Sequence, residues 1–183
     1  NLSDSPVTAI MTAWDIEPGV WEMKRGIDPD GDDRVNFGAS AKKIALERTE
    51  SVEILFEPGV QTIVDFRLLK RGTPYWERPD LGISRKDVTI GGNSIRITVH
   101  NAGAVDSPAG KVSLIDPSGG ELASTPIPPI KAALDYMPKT ARARITIPRG
   151  LNMAGCAVRV DLNVGVQEIT RLNNQIFIDS LLR

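Results

Sequence analysis

Four carboxylates crowd one short stretch of this chain. Residues 27–37 read IDPDGDDRVNF, with Asp28, Asp30, Asp32 and Asp33 close together, Gly31 among them and Asn36 following. A hard cation such as calcium gathers six to eight oxygens from carboxylates, amides and carbonyls. Asp28, Asp30 and Asp32 stand at alternate positions and converge on one ion if the loop curls, and Asn36 or a backbone carbonyl adds a further oxygen. Paired acids also run general acid–base chemistry, glycoside hydrolysis included. Such sites draw their acids from distant strands into a cleft that shifts a pKa, and neighbours on one polar loop lack that burial. The remaining use is a hydrated Asp-Gly turn between strands. The turn and the calcium loop are the two readings this pattern favours. Without an ion, so many close carboxylates repel one another unless water or hydrogen-bond donors intervene.

Other reactive side chains are sparse. One cysteine, Cys156, and one histidine, His100, leave no intrachain disulfide and no cysteine-based zinc site. Cys156 enters an apolar run in MAGCAVRV, as a small core residue does. A Cys/His nucleophilic pair through His100 has no local support. No glycine-rich phosphate loop, serine elbow or histidine metal motif accompanies them. Trp14, Trp21, Tyr75 and Trp76 are the aromatic candidates for stacking on sugar rings, which makes polysaccharide a candidate ligand. Their expected places are the core for Trp14 and Trp21 and the joint between domains for Tyr75 and Trp76.

The elements that position these residues are strands. NSIRITVH alternates Ile95, Ile97 and Val99 with Ser94, Arg96 and Thr98. ARARITI sets Ala143, Ile145 and Ile147 opposite Arg142, Arg144 and Thr146. CAVRVDLNV sets Val158, Val160, Leu162 and Val164 opposite Arg159, Asp161 and Asn163. A period of two is the mark of half-buried antiparallel strands. KVSLID, VWEMKR and NQIFIDSL read the same way, and SVEILFEPGVQTIVDFRLL reads as two strands joined at Pro58-Gly59. PVTAIMTAW is a further strand, phased as one buried on both sides. ASAKKIALER fits either two helical turns or an edge strand, and IPPIKAALDYMP fits a turn or loop.

This predicts an all-β protein of two β-sandwich domains, the second immunoglobulin-like. Pro74 and Pro79 in KRGTPYWERPDLG stiffen a joint, which puts the domains at residues 1–76 and 77–183. The charges nearly cancel, 22 basic against 23 acidic, which argues against nucleic acid or an anionic membrane as the main partner. No apolar run approaches the roughly 20 residues of a membrane span. The chain opens on Asn1 rather than Met, as a mature or excised piece of a longer protein does.

Two resemblances add to this. PDL at residues 79–81, NAG at 101–103 and Glu168 followed by Asn173-Asn174 together resemble the CARDB family of bacterial cell-adhesion-related domains, over about residues 79–179. The resemblance implies an immunoglobulin-like, non-catalytic module of an exported protein that acts through protein or surface contacts. DPDGDDRVN is similar to the calcium repeats of thrombospondin type 3 segments at Asp28, Asp30, Gly31, Asp32 and Asn36, with Asp33 where the second glycine stands. A complete EF-hand is excluded, because Asp33 replaces the glycine at position 6 and Ala39 the glutamate at position 12. The expectation is therefore a non-enzymatic, extracytoplasmic module whose partner is another protein or a domain of its parent polypeptide. Its metal ligands would be Asp28, Asp30, Asp32 and Asn36, with calcium as the ion. The alternative is the C-terminal, non-catalytic, carbohydrate-binding region of a secreted hydrolase or lyase.

Overall fold

A computed structural model describes residues 1–48, 50–162 and 165–181. Asn163 and Val164, the expected end of the CAVRVDLNV strand, lie outside the described residues. The chain divides into two compact units, Asn1–Pro74 and Tyr75–Arg183. Both are built from antiparallel strands, so the protein is all-β.

The first unit holds five strands: β1 (Val7–Thr12), β2 (Gly19–Ile27), β3 (Phe37–Leu46), β4 (Ser51–Phe56) and β5 (Thr62–Arg71). β1 pairs with β4 in a two-stranded sheet, and β3–β2–β5 form a three-stranded one. Met23, Leu46, Val52 and Ile54 are buried between them, with Met11, Trp21, Ile44, Val64 and Phe66 packed around. ASAKKIALER is thus the edge strand β3, not a helix. β4 and β5 are strands as their alternation predicts, but the Pro58-Gly59 connection carries the chain from one sheet to the other instead of closing a hairpin. β1 is mostly exposed, which corrects its reading as a strand buried on both sides. A sheet of two strands has too little width to cover it.

The second unit holds β6 (Leu81–Gly82), β7 (Val88–Gly91), β8 (Ser94–Asn101), β9 (Gly110–Ile115), β10 (Glu121–Ile127), β11 (Thr140–Thr146), β12 (Ala157–Leu162) and β13 (Gln175–Phe177). One sheet runs β11–β8–β6, with β7 also on β8, and the other runs β10–β9–β12–β13. Their facing sides share one core that includes Ile95, Ile97, Val99, Val112, Leu114, Ile145, Val158 and Val160. β11 is strictly alternating: Ala141, Ala143 and Ile145 are buried, while Thr140, Arg142, Arg144 and Thr146 are exposed. No described helix is long and apolar enough to cross a membrane.

Candidate metal centre

The aspartate stretch is the connection between β2 and β3. The Asn36 amide donates to the Ile27 carbonyl at 3.3 Å and closes the loop at its base. Gly26 permits that closure: a Cβ there would meet Val35 Cγ1 at 2.4 Å and the Phe37 carbonyl at 2.8 Å. The returning strand packs on bare backbone.

Asp28 organises the loop from inside. It is only 4% exposed. Its Oδ1 accepts the amides of Gly31 at 2.8 Å and Asp32 at 3.2 Å, and its Oδ2 accepts the amide of Asp33 at 3.0 Å. Gln61, one residue before β5, is the fourth donor to the carboxylate, through Nε2 to Oδ2 at 3.3 Å, and the Gln61 carbonyl accepts the Asp28 amide. One carboxylate at the end of β2 thus gathers the loop and ties it to the residue before β5. Burial pushes its pKa up, but the Asp33 amide, a side-chain hydrogen bond with Asp30 and the amides of Gly31 and Asp32 together outweigh burial and leave it below the ordinary carboxylate value. Asp33 takes the left-handed conformation, with φ 61°. The calcium-repeat pattern wants glycine there, and the aspartate, a residue that tolerates this region, adopts the same conformation.

Asp30 and Asp32 are the exposed arms of the loop. Asn36 bridges them, its Nδ2 donating to Asp30 Oδ1 at 2.7 Å and to Asp32 Oδ1 at 3.2 Å. The Arg34 amide adds a second donor on Asp32 Oδ1 at 3.0 Å. One carboxylate oxygen each from Asp28, Asp30 and Asp32 lie within 4.8 Å of one another, so the cluster can hold a metal ion. The three aspartates therefore converge, and Asn36 lies against two of them. Asn36, however, presents its amide nitrogen, a partial positive charge standing where a cation would bridge the two arms. To serve as a ligand its amide must turn over and offer Oδ1.

The other reactive side chains do not form a site. Cys156 is buried, and burial raises its thiol pKa. His100 sits on the outer side of β8, with Nε2 2.8 Å from Asp87 Oδ1. Trp21 packs on the core as expected, its indole N–H on the Glu17 carbonyl at 3.0 Å. Trp14 departs from the expected core position and is 61% exposed. Tyr75 lies under the Arg78 guanidinium, 4.9 Å from ring centroid to Cζ, and Trp76 is 70% exposed.

Asn101 and Glu168, which carry the second unit's resemblance, are engaged within that unit, largely by its backbone. Asn101 Oδ1 accepts the amides of Asp80 at 3.1 Å and Gly103 at 3.0 Å, and its Nδ2 donates to the carbonyls of Val105, Ile130 and Lys131. Glu168 Oε1 accepts the Leu81 amide at 2.9 Å, and Oε2 accepts Asn174 Nδ2 at 2.8 Å. Burial raises the Glu168 pKa against those two donors. Gly103 is there for close approach and not for a positive φ. A Cβ on it would lie 2.5 Å from the Arg78 carbonyl and the Asp80 amide.

Gln61 is the participant that sequence reasoning misses. It lies far from the aspartates in the chain, and only the β2–β5 pairing brings it there. Comparison with protein-family models, with curated proteins and with solved structures finds no match to this chain.

Proposed function

We propose that this chain is a non-catalytic contact module of an exported bacterial protein, with a CARDB-like, immunoglobulin-type second unit and a first unit locked by a calcium ion. One observation carries the reading: the polar residues singled out by the sequence act on strand ends and connections. Asp28 ties the β2–β3 loop to the start of β5, while Asn101 and Glu168 tie segments of the second unit together. Groups filled by backbone donors serve architecture, and an architectural module works through its surface.

Calcium fits the loop by its oxygen chemistry. The cluster's span of 4.8 Å lies inside the roughly 5 Å across which two oxygens face each other at calcium–oxygen distance. Asp28 preforms the loop, and Asp30, Asp32 and a turned Asn36 supply the exposed oxygens. An ion that binds only the folded state stabilises it by mass action. Its addition raises the melting temperature, chelation lowers it, and Asp30→Ala removes the difference. The same variant, assayed beside the parent on chromogenic glycosides, esters and peptides, separates architecture from catalysis. A melting curve indifferent to calcium overturns the ion. Turnover by the parent that Asp30→Ala abolishes overturns the non-catalytic reading.

A further inference from the structure

The second unit leaves one strand edge open and puts unpaired arginines along it. β11 is the last strand of its sheet and pairs only with β8, with Thr140 opposite His100, Arg142 opposite Thr98 and Arg144 opposite Arg96. The Asn101 amide donates to the Lys139 carbonyl, and the Ile147 amide donates to the Asn93 carbonyl. These two bonds fix the parity of the ladder. In an antiparallel pair, hydrogen-bonded positions alternate with positions whose N–H and C=O groups point the other way. Ala141, Ala143 and Ile145 therefore bond to β8. Arg142 and Arg144 turn their backbone N–H and C=O groups outward, to the edge at which no strand is hydrogen-bonded to β11; β10 packs near β11 without pairing with it.

The same parity governs the side chains. Arg96 and Arg144 occupy a non-hydrogen-bonded pair, in which side chains approach most closely, and like charges opposed there are unfavourable. Among the described residues no hydrogen bond or ion pair is formed by the side chain of Arg96, Arg142, Arg144 or Lys86. These four, with Thr89 and Thr98, line a shallow groove of about 470 Å³ on the outer face of the sheet. The acid lining it, Asp87, is already engaged by the Ser84 amide, the Ser84 hydroxyl and His100. No aromatic side chain lines the groove, so it offers no platform for a base or a sugar ring.

We propose that the β11 edge binds an extended acidic polypeptide segment, which adds to the sheet as a further strand. An added strand lies about 4.8 Å from β11 and pairs its backbone with Arg142 and Arg144. Residues of the segment at alternate positions then stand directly opposite the two arginines on the outer face, and guanidinium forks match carboxylates there. The intervening residues face Ala141 and Ala143 at the rim of the core and are apolar. The recognised pattern is acid–apolar–acid. Only a polypeptide satisfies both the unpaired amides and the unpaired guanidiniums, since an acidic glycan meets the charges without the backbone ladder.

This inference deepens the contact-module reading and rests on it. Its test reads β11 alone and leaves the turnover assay untouched, so the two fail separately. A short blocked peptide of alternating Glu and Val is titrated into the full chain, with amide spectra recorded. Saturable binding that shifts and protects the Arg142 and Arg144 amides is expected. Arg142→Ala with Arg144→Ala weakens it about tenfold or more while the fold is retained. Arg142→Glu with Arg144→Glu transfers the preference to a Lys/Val peptide. N-methylation of the Glu amides, which face β11, abolishes binding, whereas N-methylation of the Val amides, which face away, leaves it intact. Absence of saturable binding overturns the proposal. So does equal binding of the Glu-methylated peptide or of a sulfated glycan, because charge alone then explains the face.

Discussion

Asp33 shows how far one residue can depart from a loop pattern and still serve it. Its φ of 61° lies in the left-handed region, where an L side chain other than Asn or Asp meets real strain. Its amide is a donor to Asp28, so the conformation cannot relax without loosening the clamp. Asp33→Gly suits the left-handed conformation better still and removes one carboxylate from a crowded loop, and it stabilises the first unit by about 0.5–1 kcal/mol. Asp33→Val brings a β-branched side chain into the same region and destabilises it by about 1–2 kcal/mol. Chemical denaturation of the three proteins checks the order Gly, Asp, Val. If valine is tolerated as well as aspartate, the loop does not depend on this turn.

At the scale of elements, Glu168 holds a connection in place at a cost set by burial. Its carboxylate bonds to the start of β6 and to Asn174, which in turn donates to the Val160 carbonyl in β12. Its pKa is raised by burial, so the folded state holds the proton more tightly than the unfolded chain does. Its stabilising contribution is therefore full below the unfolded carboxylate value, about 4.3, and is lost as pH rises through the folded value. In that window each pH unit changes stability by up to about 1.4 kcal/mol. In Glu168→Gln the amide carbonyl still accepts the Leu81 N–H. Asn174 Oδ1, a buried oxygen with no partner, can turn to accept the new N–H at the expense of the bond to Val160. The variant loses this pH dependence and gains relative to the parent as pH rises from about 4 to 8. A constant difference in melting temperature across that range removes Glu168 from the account. Much of this scale was legible beforehand: the alternation in ARARITI and NSIRITVH, or of Trp21 with Met23, names strands and their buried faces directly. Pairing was not. That β4 and β5 enter different sheets, that Gln61 reaches Asp28, and that Arg144 lies opposite Arg96 are facts of register, and no period of two within one segment carries them.

The whole molecule is two separately built cores with opposite charge. The near-neutral total hides 13 acidic against 9 basic residues in Asn1–Pro74 and 13 basic against 10 acidic in Tyr75–Arg183. The argument from overall neutrality therefore applies to neither unit, and the basic excess belongs to the one that carries the open arginine edge. The cores differ as much as the charges. The first closes over four buried apolar side chains, the second over a cluster several times larger that includes Leu81, Ile95, Leu114, Ile145 and Ile178. Stability grows with the apolar area a unit hides, so the first unit melts at the lower temperature. Calorimetry of the whole chain resolves two transitions. A chelator and Asp33→Gly move the first alone, and Glu168→Gln moves the second alone. The Asp28 clamp, held by a lowered pKa, is present above the unfolded aspartate value of about 3.9 and is lost as pH falls through the folded value, so strong acid weakens the first transition through this group. One transition that shifts as a unit under all of these changes shows instead that the two cores unfold as a single cooperative body.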